Sequence, residues 1–406
     1  MIWHIITGEY PPQLGGISHY SEQLAAELAR NGCRVHVWCP ASDAIDEQAS
    51  DERASDKRAP GVEVHRLPGI FSPRGLLRMG RELNGFDGPR TLLVEYAPNA
   101  FGCRGLNLFF CIWLLARSVF RRDDVRVMFH EPFFYFGRQR LRRNLLAAVN
   151  RVMAVWLIAA SRTIYLSIPA WERMLARYCL FRRPEMIWLP VPATIPRVDD
   201  RARVRQIRRA HISTGAGRLL VGHFGTYGEH IAGGLAKVLI ELLDRRPGVA
   251  VLCLGARGEK FVAELSAAHT RLAGRLLAPG LLSPEELSLH LQACDLCIQP
   301  YPDGATSRRT SLMAALINGV PVVTTVGRLT EPVWSEAAAV SLAKAGDAAS
   351  ITSAAERLLD DADLRSRAGL GGRQFYEKNF AMSLSVETLL EGSRQFAPDS
   401  GVEVSV

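Results

Sequence analysis

The stretch IWHIITGEYPPQLGGISHYSEQLAAELARNGCRVHVWCP, residues 2–40, decides the fold. IWHIITG (2–8) is a short, β-branched run that is typical of a buried strand, and residues 18–31 carry apolar side chains at helical spacing. Gly32 provides a stop for that helix, and CRVHVWCP (33–40) predicts a second strand. A strand, a helix and a second strand in this order are the building unit of a parallel sheet.

The same alternation continues along the chain. Further strands are predicted at 62–68, 91–98, 125–132, 163–169, 186–192, 218–226, 249–256, 294–300 and 321–325. A proline-containing, charged linker is predicted at 193–206. We therefore expect an α/β protein with two Rossmann-like domains, 1–195 and 205–380, whose parallel sheets face each other across a cleft. Residues 381–406 should supply a helix that returns to the first domain and then a frayed tail.

Composition sets limits on the class of protein. The chain has 406 residues and is 48% hydrophobic, which suits two domains. The net charge is +8, but no zinc-finger or RNA-binding motif is present, so no nucleic-acid partner is expected. The eight cysteines are scattered, which favours a reducing, cytoplasmic location. The N-terminus lacks the features of a signal peptide, and the apolar run 106–115 is too short to span a bilayer.

The loop that follows the first strand is rich in glycine. Gly15 and Gly16 stand directly before the first helix, where glycine allows close backbone approach and a helix N-terminus favours an anion. The loop has no G-x-G-x-x-G dinucleotide motif. A plain flexible turn is the alternative, and the spacing alone does not choose between the two.

Two motifs in order resemble the family-4-type retaining glycosyltransferases of the GT-B fold. These are the Pro-Pro, Gly-Gly and helix succession within 7–40 and the sequence A-L-I-N-G-V-P-V-V at 315–323. The resemblance implies that a sugar moves from a nucleotide diphosphate sugar to a glycan, lipid-linked or small-molecule acceptor. It implies a donor site in the second domain, an acceptor site in the first, and Gly15 and Gly16 over the phosphate and sugar of the donor. UDP, GDP, ADP and TDP are not distinguished.

The segment V-R-V-M-F-H-E-P (125–132) places His130 and Glu131 at the carboxyl end of a strand, which is the ligand side of a parallel sheet. By itself, a lone histidine after an apolar strand is more often structural. The resemblance implies that His130 lies close to the transferred sugar and that Glu131 hydrogen-bonds the acceptor or orients His130. It also implies that the leaving phosphate, and not a general base, accepts the acceptor proton.

Two arginines stand at the start of the predicted helix that precedes G-V-P-V-V. Ser307 is the predicted N-cap, and Arg308 and Arg309 then fall in the first turn. Two guanidinium groups together with the backbone N–H groups of Thr310 and Ser311 would hold a phosphate. An exposed arginine pair in salt bridges is the alternative.

At two positions where the family usually has a glutamate, this sequence has an uncharged residue. The resemblance aligns two family glutamates, which hold sugar hydroxyls and the ribose, with Thr306 and Ala314. Asp303 and Glu331 are the candidate substitutes, because they are near in sequence.

The loop V-G-H-F-G-T-Y-G-E-H (221–230) departs in a similar way. Gly225 and Thr226 follow a strand and offer backbone contacts to a phosphate. The resemblance aligns His223 with a family arginine, and the family lysine is missing. We therefore hypothesise that the cationic contacts to the diphosphate have moved to the two arginines of the later helix.

Aromatic and arginine residues are concentrated at 133–151. This composition suits the anionic surface of a membrane, so peripheral association with its inner face is one prediction. A surface helix next to a cleft-lining aromatic loop is the alternative and has equal weight.

The resemblance implies that no cofactor and no metal are needed, because enzymes with the GT-B fold generally manage the charge of the diphosphate with cations and helix ends. The missing carboxylates keep two other function classes open. One is a non-catalytic binding or partner protein with the same fold. The other is a sugar-nucleotide epimerase or a glycoside phosphorylase.

Overall fold

A computed structural model describes residues 1–13, 15–41, 59–87, 90–137, 141–213, 219–336 and 339–394. The chain forms two compact units. The first contains Met1–Pro190 and the segment from Met382 onward, and the second contains Val191–Ala381.

The first unit is built on a seven-stranded parallel sheet. Its strands are β1 (Ile2–Thr7), β2 (Arg34–Pro40), β3 (Val62–Leu67), β4 (Thr91–Tyr96), β5 (Asp124–Phe129), β6 (Thr163–Leu166) and β7 (Glu185–Trp188). They lie in the order β3-β2-β1-β4-β5-β6-β7. Its helices are α1 (Gly16–Arg30), α2 (Pro73–Asn84), α3 (Leu108–Phe120), α4 (Leu141–Ala160) and α5 (Ala170–Leu175).

The second unit has a six-stranded parallel sheet in the order β10-β9-β8-β11-β12-β13. The strands are β8 (Leu219–Phe224), β9 (Val249–Leu254), β10 (Leu276–Leu277), β11 (Leu296–Gln299), β12 (Val322–Val326) and β13 (Ser341–Lys344). The helices up to the last strand are α6 (Arg201–Ser213), α7 (Glu229–Arg245), α8 (Gly258–Ala268), α9 (Pro284–Gln292), α10 (Thr310–Ile317) and α11 (Val333–Glu336). The remaining helices are α12 (Ala348–Asp360), α13 (Ala362–Asn379) and α14 (Met382–Arg394), of which α14 belongs to the first unit.

Burial explains why these segments are strands. Every residue of β4 and of β9 is buried, as expected where helices cover both faces of a parallel sheet. The helices bury a single face instead; α7, for example, buries five apolar side chains that include Leu235, Leu239 and Leu242. The predicted α/β class with two parallel-sheet domains is therefore confirmed.

Two predictions about local structure were incomplete. The proposed linker at 193–206 is extended only to Asp200, because the charged residues from Arg201 onward form α6. The sequence also gave no sign of β10 and β13, which have two and four residues and are too short for a periodic pattern.

The last helix is attached to the first unit by a buried arginine. Arg126 of β5 donates hydrogen bonds to the backbone carbonyls of Leu389 (3.1 Å) and Gly392 (3.3 Å), both on α14. Its charge is paired with Asp124 at 2.7 Å. Helix α14 therefore completes the first unit, and the predicted frayed tail, P-D-S-G-V-E-V-S-V at 398–406, lies outside the described residues.

Candidate functional site

The strand order of the first sheet creates a crevice between β1 and β4. These strands are neighbours, but the chain leaves them toward opposite edges of the sheet, which defines a topological switch point. The loops after the two strands nearly touch: a Cβ atom on Gly8 would lie 2.1 Å from the carbonyl oxygen of Ala100. Only glycine fits at position 8, so the loops after β1 and β4 are held in contact at the base of the crevice.

The predicted Gly-Gly pair lies at this crevice, but its two members have different surroundings. Gly15 is the N-cap of α1 and has no side chain to cap the helix. A Cβ on Gly15 would lie 2.4 Å from the Glu9 carboxylate, whereas a Cβ on Gly16 would meet nothing within 4 Å. The space at Gly16 is therefore open, next to the N–H groups of the first helical turn.

His130 directly follows β5 and is buried beside the same crevice. Its Nε2 lies 2.8 Å from Oε2 of Glu95, a fully buried residue of β4. Because a carboxylate only accepts hydrogen bonds, Nε2 carries the proton of this contact, and Nδ1 is the ring nitrogen that remains for a ligand. The Tyr20 ring packs edge-on against the imidazole at 5.2 Å.

Two further carboxylates lie near His130 in the sequence or in space. Glu9 follows β1 and interacts electrostatically with His130, while partial burial raises the pKa of Glu9. Glu131 is exposed. The carboxylate that hydrogen-bonds the His130 ring is therefore Glu95, whereas the sequence had offered Glu131 either for this role or for a contact with the acceptor.

The second sheet has its own switch point between β8 and β11. His223 of β8 is buried, and its Nδ1 donates to the carbonyl oxygen of Ile298 on β11 at 2.7 Å. Burial lowers the pKa of His223 to about 4, so the ring is neutral at pH 7. Its Nε2 has no hydrogen-bond partner among the described residues, and it lies 3.1 Å from where a Cβ on Gly225 would stand. At the aligned arginine position this chain therefore presents an acceptor and not a cation.

The loop after β8 leads directly into α7. Thr226 is exposed, and Gly228 is the N-cap of the helix without a side-chain cap. A Cβ on Gly255, in the next loop, would lie 2.4 Å from the carbonyl oxygen of Gly225. The backbone at Gly225 is thus held close to the loop after β9, and Thr226 faces solvent.

The predicted N-cap of the cationic helix is wrong. The helix begins at Thr310, and Arg309 is its N-cap, so Arg308 precedes the first turn and does not belong to it. Thr310 and Ser311 are therefore the first two helical residues, and helix geometry gives their N–H groups no partner in the preceding turn. The Arg309 guanidinium lies 4.6 Å over the ring of Tyr301.

Ser307 does not cap the helix because a buried carboxylate holds it. Both oxygens of Glu331 accept from the Ser307 backbone N–H, at 2.9 and 3.2 Å, and Oε1 also accepts from the hydroxyl group of Ser307. Trp334 Nε1 donates to Oε2 of Glu331 at 2.7 Å. Burial raises the pKa of Glu331, and these donors oppose that effect. Through these hydrogen bonds, Glu331 holds Ser307 in place directly before Arg308 and Arg309.

The positions of the two missing family glutamates are fully buried. Thr306 is 0% exposed, and its hydroxyl has no hydrogen-bond partner within the described part of the chain. Ala314 is also 0% exposed, inside α10. Of the two candidate substitutes, Asp303 is the more accessible, and it pairs with Arg328 at 3.1 Å.

Sequence reasoning missed Glu95, Glu9 and Tyr301. The signal for Glu95 was present, because T-L-L-V-E-Y has one carboxylate inside an otherwise apolar strand. A buried charge needs a partner, and histidine is a common one. Glu9 lies in the quoted glycine loop, but only the folded chain brings it to Gly15 and His130.

Comparison with known proteins agrees with this architecture. Residues 15–187 match the family described as glycosyl transferase 4-like domain. No curated protein sequence matches the chain.

Solved structures resemble the chain over almost its whole length. Sucrose-phosphate synthase from Thermosynechococcus elongatus is 16% identical with a TM-score of 0.72, and the match covers 97% of this chain and 98% of that one. HepE from Anabaena, in complex with UDP and glucose, is 15% identical with a TM-score of 0.66, over 97% and 100%. WaaG, a glycosyltransferase involved in lipopolysaccharide biosynthesis, is 15% identical with a TM-score of 0.62, over 96% and 99%. Residues 15–187 of the chain match the glycosyl transferase 4-like domain, and the chain has the GT-B fold of these solved structures over almost its whole length.

Proposed function

We propose that this protein is a retaining glycosyltransferase that moves a sugar from a nucleotide diphosphate sugar to a glycan, lipid-linked or small-molecule acceptor. The observation that carries the proposal is the buried His130–Glu95 hydrogen bond at the first switch point. A buried, oriented imidazole at the carboxyl ends of parallel strands is a suitable contact for a sugar hydroxyl. HepE, which has the same fold, binds UDP and glucose.

In this proposal the second unit binds the donor. Arg308 and Arg309 stand at the N-terminal end of α10, where two guanidinium groups and the N–H groups of Thr310 and Ser311 would hold the diphosphate. The backbone at Gly225 and Thr226 would add further contacts. Such donors stabilise the negative charge that develops on the leaving nucleotide, in the role that a metal ion has in other transferases.

The first unit binds the acceptor in this proposal. The role that the resemblance implies for Gly15 and Gly16, contact with the donor phosphate and sugar, is compatible with the open space at Gly16. His130 contacts the transferred sugar through Nδ1, and the exposed Glu131 hydrogen-bonds the acceptor. The domain roles predicted for 1–195 and 205–380 are retained as part of this proposal.

We further propose a cytoplasmic enzyme whose segment 133–151 contacts the inner face of a membrane. Phe136, Leu141 and Leu145 are 56%, 90% and 65% exposed, beside the exposed Arg142 and Arg143. Arg138, Gln139 and Arg140 lie outside the described residues.

Two observations bear on the nature of this membrane contact. Among the described residues, only α4 (Leu141–Ala160) is long and apolar enough to cross a bilayer, which a core helix also satisfies. Seven of its residues are buried. Arg151 already stacks on Phe133 and Phe136, so part of the segment is engaged internally. We therefore propose contact with the surface of the membrane and no crossing.

A non-catalytic partner protein is the second candidate, and one observation favours it. Both aligned glutamate positions are occupied by buried, uncharged residues, Thr306 and Ala314. A protein of this kind would bind a nucleotide sugar without turnover. An epimerase would change the sugar without an acceptor, and a glycoside phosphorylase would cleave a glycoside with inorganic phosphate and without nucleotide.

One experiment separates these candidates. The protein is screened by thermal shift with UDP, GDP, ADP and TDP and their sugars, and each ligand that binds is then tested for nucleotide release and for anomeric configuration by NMR. We expect one nucleotide sugar to raise the Tm and to yield a product with retained configuration when acceptors are supplied. Binding without release supports the partner protein, inversion refutes the retaining mechanism, and no response to any nucleotide contradicts the proposal as a whole.

A further inference from the structure

A cluster of imidazole and carboxylate groups lies at the edge of the first sheet, away from the candidate site. It consists of His36 on β2 and of Glu63 and His65 on the edge strand β3. His36 is in register with Glu63, and His65 is in register with Trp38, two residues further along β2. Because side chains alternate along a strand, all four residues project from the same face.

The donor atoms of the cluster have the spacing of metal ligands. His36 Nδ1 lies 3.0 Å from His65 Nε2, and Glu63 Oε2 lies 3.3 Å from His36 Nδ1. Glu63 Oε1 lies 3.7 Å from His65 Nε2, and one ligand atom from each residue falls within a 4.8 Å span. Two nitrogen ligands at about 2.0–2.1 Å from one ion at roughly 90–110° are themselves about 2.8–3.4 Å apart. The observed separations therefore fit an ion without backbone movement.

Packing holds both imidazole rings in place. The His65 ring stacks on Trp38 with ring centroids 4.0 Å apart and 10° between the planes. The His36 ring stacks on His4 at 5.3 Å and meets the edge of Phe86 at 4.5 Å. Side chains that are fixed in this way lose little conformational entropy when they bind a ligand.

The chemistry of the cluster favours a transition metal. His36 offers its Nδ1 atom and His65 its Nε2 atom to the cluster. Imidazole nitrogens suit Zn²⁺, Cu²⁺ and Ni²⁺, whereas Mg²⁺ and Ca²⁺ prefer oxygen ligands. Glu63 is 63% exposed, so the ion can enter from solvent.

We propose that His36, Glu63 and His65 form a site for one divalent transition-metal ion, with Zn²⁺ as the first candidate. The ion has three protein ligands, and water completes its coordination. His36 is the third residue of β2, and the ligand end of that strand is four residues later, at Pro40. At about 3.3 Å per residue the site lies roughly 13 Å along the strand from that end, so the ion joins β3 to β2 and takes no part in sugar transfer.

Calorimetry on the full-length protein tests the proposal. The protein is prepared without a histidine tag, stripped with EDTA and titrated with ZnCl₂ at pH 7.5. We expect saturable binding of one equivalent and a rise in Tm, because an ion that binds only the folded state stabilises it. With Cu²⁺, electron paramagnetic resonance should show coupling to two ring nitrogens. Mg²⁺ should give no heat.

Substitutions assign the ligands. Glu63→Gln and His65→Gln should each weaken Zn²⁺ binding by at least about 10-fold, because each removes one of three ligands. Both residues are more exposed than His36, so these variants are expected to fold, which circular dichroism checks. The matched control is His269→Gln, a histidine of the second unit beside Arg271, and its binding should be unchanged. No saturable heat with Zn²⁺, Cu²⁺ or Ni²⁺, or unchanged affinity in both ligand variants, overturns the proposal.

Discussion

The Nε2 atom of His130 lies 2.8 Å from Oε2 of Glu95, and 35 residues separate the two in sequence. Glu95 is in β4 and His130 directly follows β5, the next strand of the sheet. The His130 backbone N–H also donates to the Tyr96 carbonyl at 3.0 Å, which continues the pairing of the two strands. The geometry of the imidazole is thus fixed by both its backbone and its side chain.

Glu95→Gln should lower kcat for sugar transfer by about 10- to 100-fold, because a neutral amide replaces the charged acceptor of the His130 ring and makes a weaker hydrogen bond. An amide can either donate or accept, so Nε2 no longer has to carry the proton. Steady-state nucleotide release measures the effect. Glu131→Gln is the comparison variant, since Glu131 is exposed; a larger loss there than in Glu95→Gln would return the orienting role to Glu131.

Arg308→Ala and Arg309→Ala should each weaken donor binding by about 10-fold or more, because each removes a charged contact to the diphosphate. Arg309→Ala also loses the stacking on Tyr301. Calorimetric Kd values for the nucleotide diphosphate provide the measurement. Arg271→Ala, which removes an exposed arginine paired with Asp244, is the control. Unchanged Kd values for both variants would rule out this phosphate site.

Gly16→Ala should keep the stability of the wild type and lose donor affinity. A Cβ at this position meets no atom within 4 Å, and alanine is favoured over glycine in a helix by about 0.5–1 kcal/mol. Loss of binding would therefore report contact with the ligand alone. Tm and nucleotide Kd are measured together, and wild-type affinity would show that no ligand approaches Gly16. Gly15→Ala should instead displace the Glu9 carboxylate, because the new Cβ would lie 2.4 Å from its Oε2 atom, while the backbone stays in place.

The buried His223 should make the protein less stable in mild acid. Its pKa is lowered to about 4, whereas an unfolded histidine titrates near 6.5. Below pH 6.5 the unfolded state therefore binds a proton that the folded state does not, and the free energy of unfolding falls as pH decreases. The shift corresponds to about 3 kcal/mol, lost between pH 6.5 and about 4.

His223→Asn should reduce this pH dependence, because asparagine does not titrate and can still donate to Ile298. Urea unfolding at pH 7.5 and pH 5.0 measures the difference, which should be smaller in the variant by about 2 kcal/mol. Part of the dependence should remain, since burial also lowers the pKa of His4 to about 3. Identical pH dependence in the two proteins would show that His223 does not carry the effect.

Replacing Leu141 and Leu145 together by serine should reduce binding to anionic liposomes at low salt. These side chains are 90% and 65% exposed next to Arg142 and Arg143, so they can enter the interface without loss of internal packing. Co-sedimentation with vesicles that contain phosphatidylserine provides the measurement. Leu370→Ser, which removes a 60% exposed leucine from α13, is the control. If the wild type does not sediment with these vesicles, 133–151 is not a membrane-binding segment.

The sequence determined the local structure and the class of the fold. Apolar runs such as T-L-L-V-E-Y at 91–96 form strands because both faces are covered, and α7 follows from its spacing of apolar residues. It also placed the two glycine loops and His130 directly after strands, which is the ligand side of a parallel α/β protein. These features depend on neighbours a few residues away, which the sequence displays directly.

Tertiary structure alone decided which side chains become partners. The strand order makes β4 and β5 neighbours and so joins Glu95 to His130, and the packing of Glu331 against Ser307 moves the start of α10 to Thr310. The pairing of β2 with β3 likewise joins His36 to His65. Such contacts are non-local: a buried polar group takes whichever partner the assembled sheet brings within hydrogen-bonding distance, and the spacing of residues along the chain does not encode that choice.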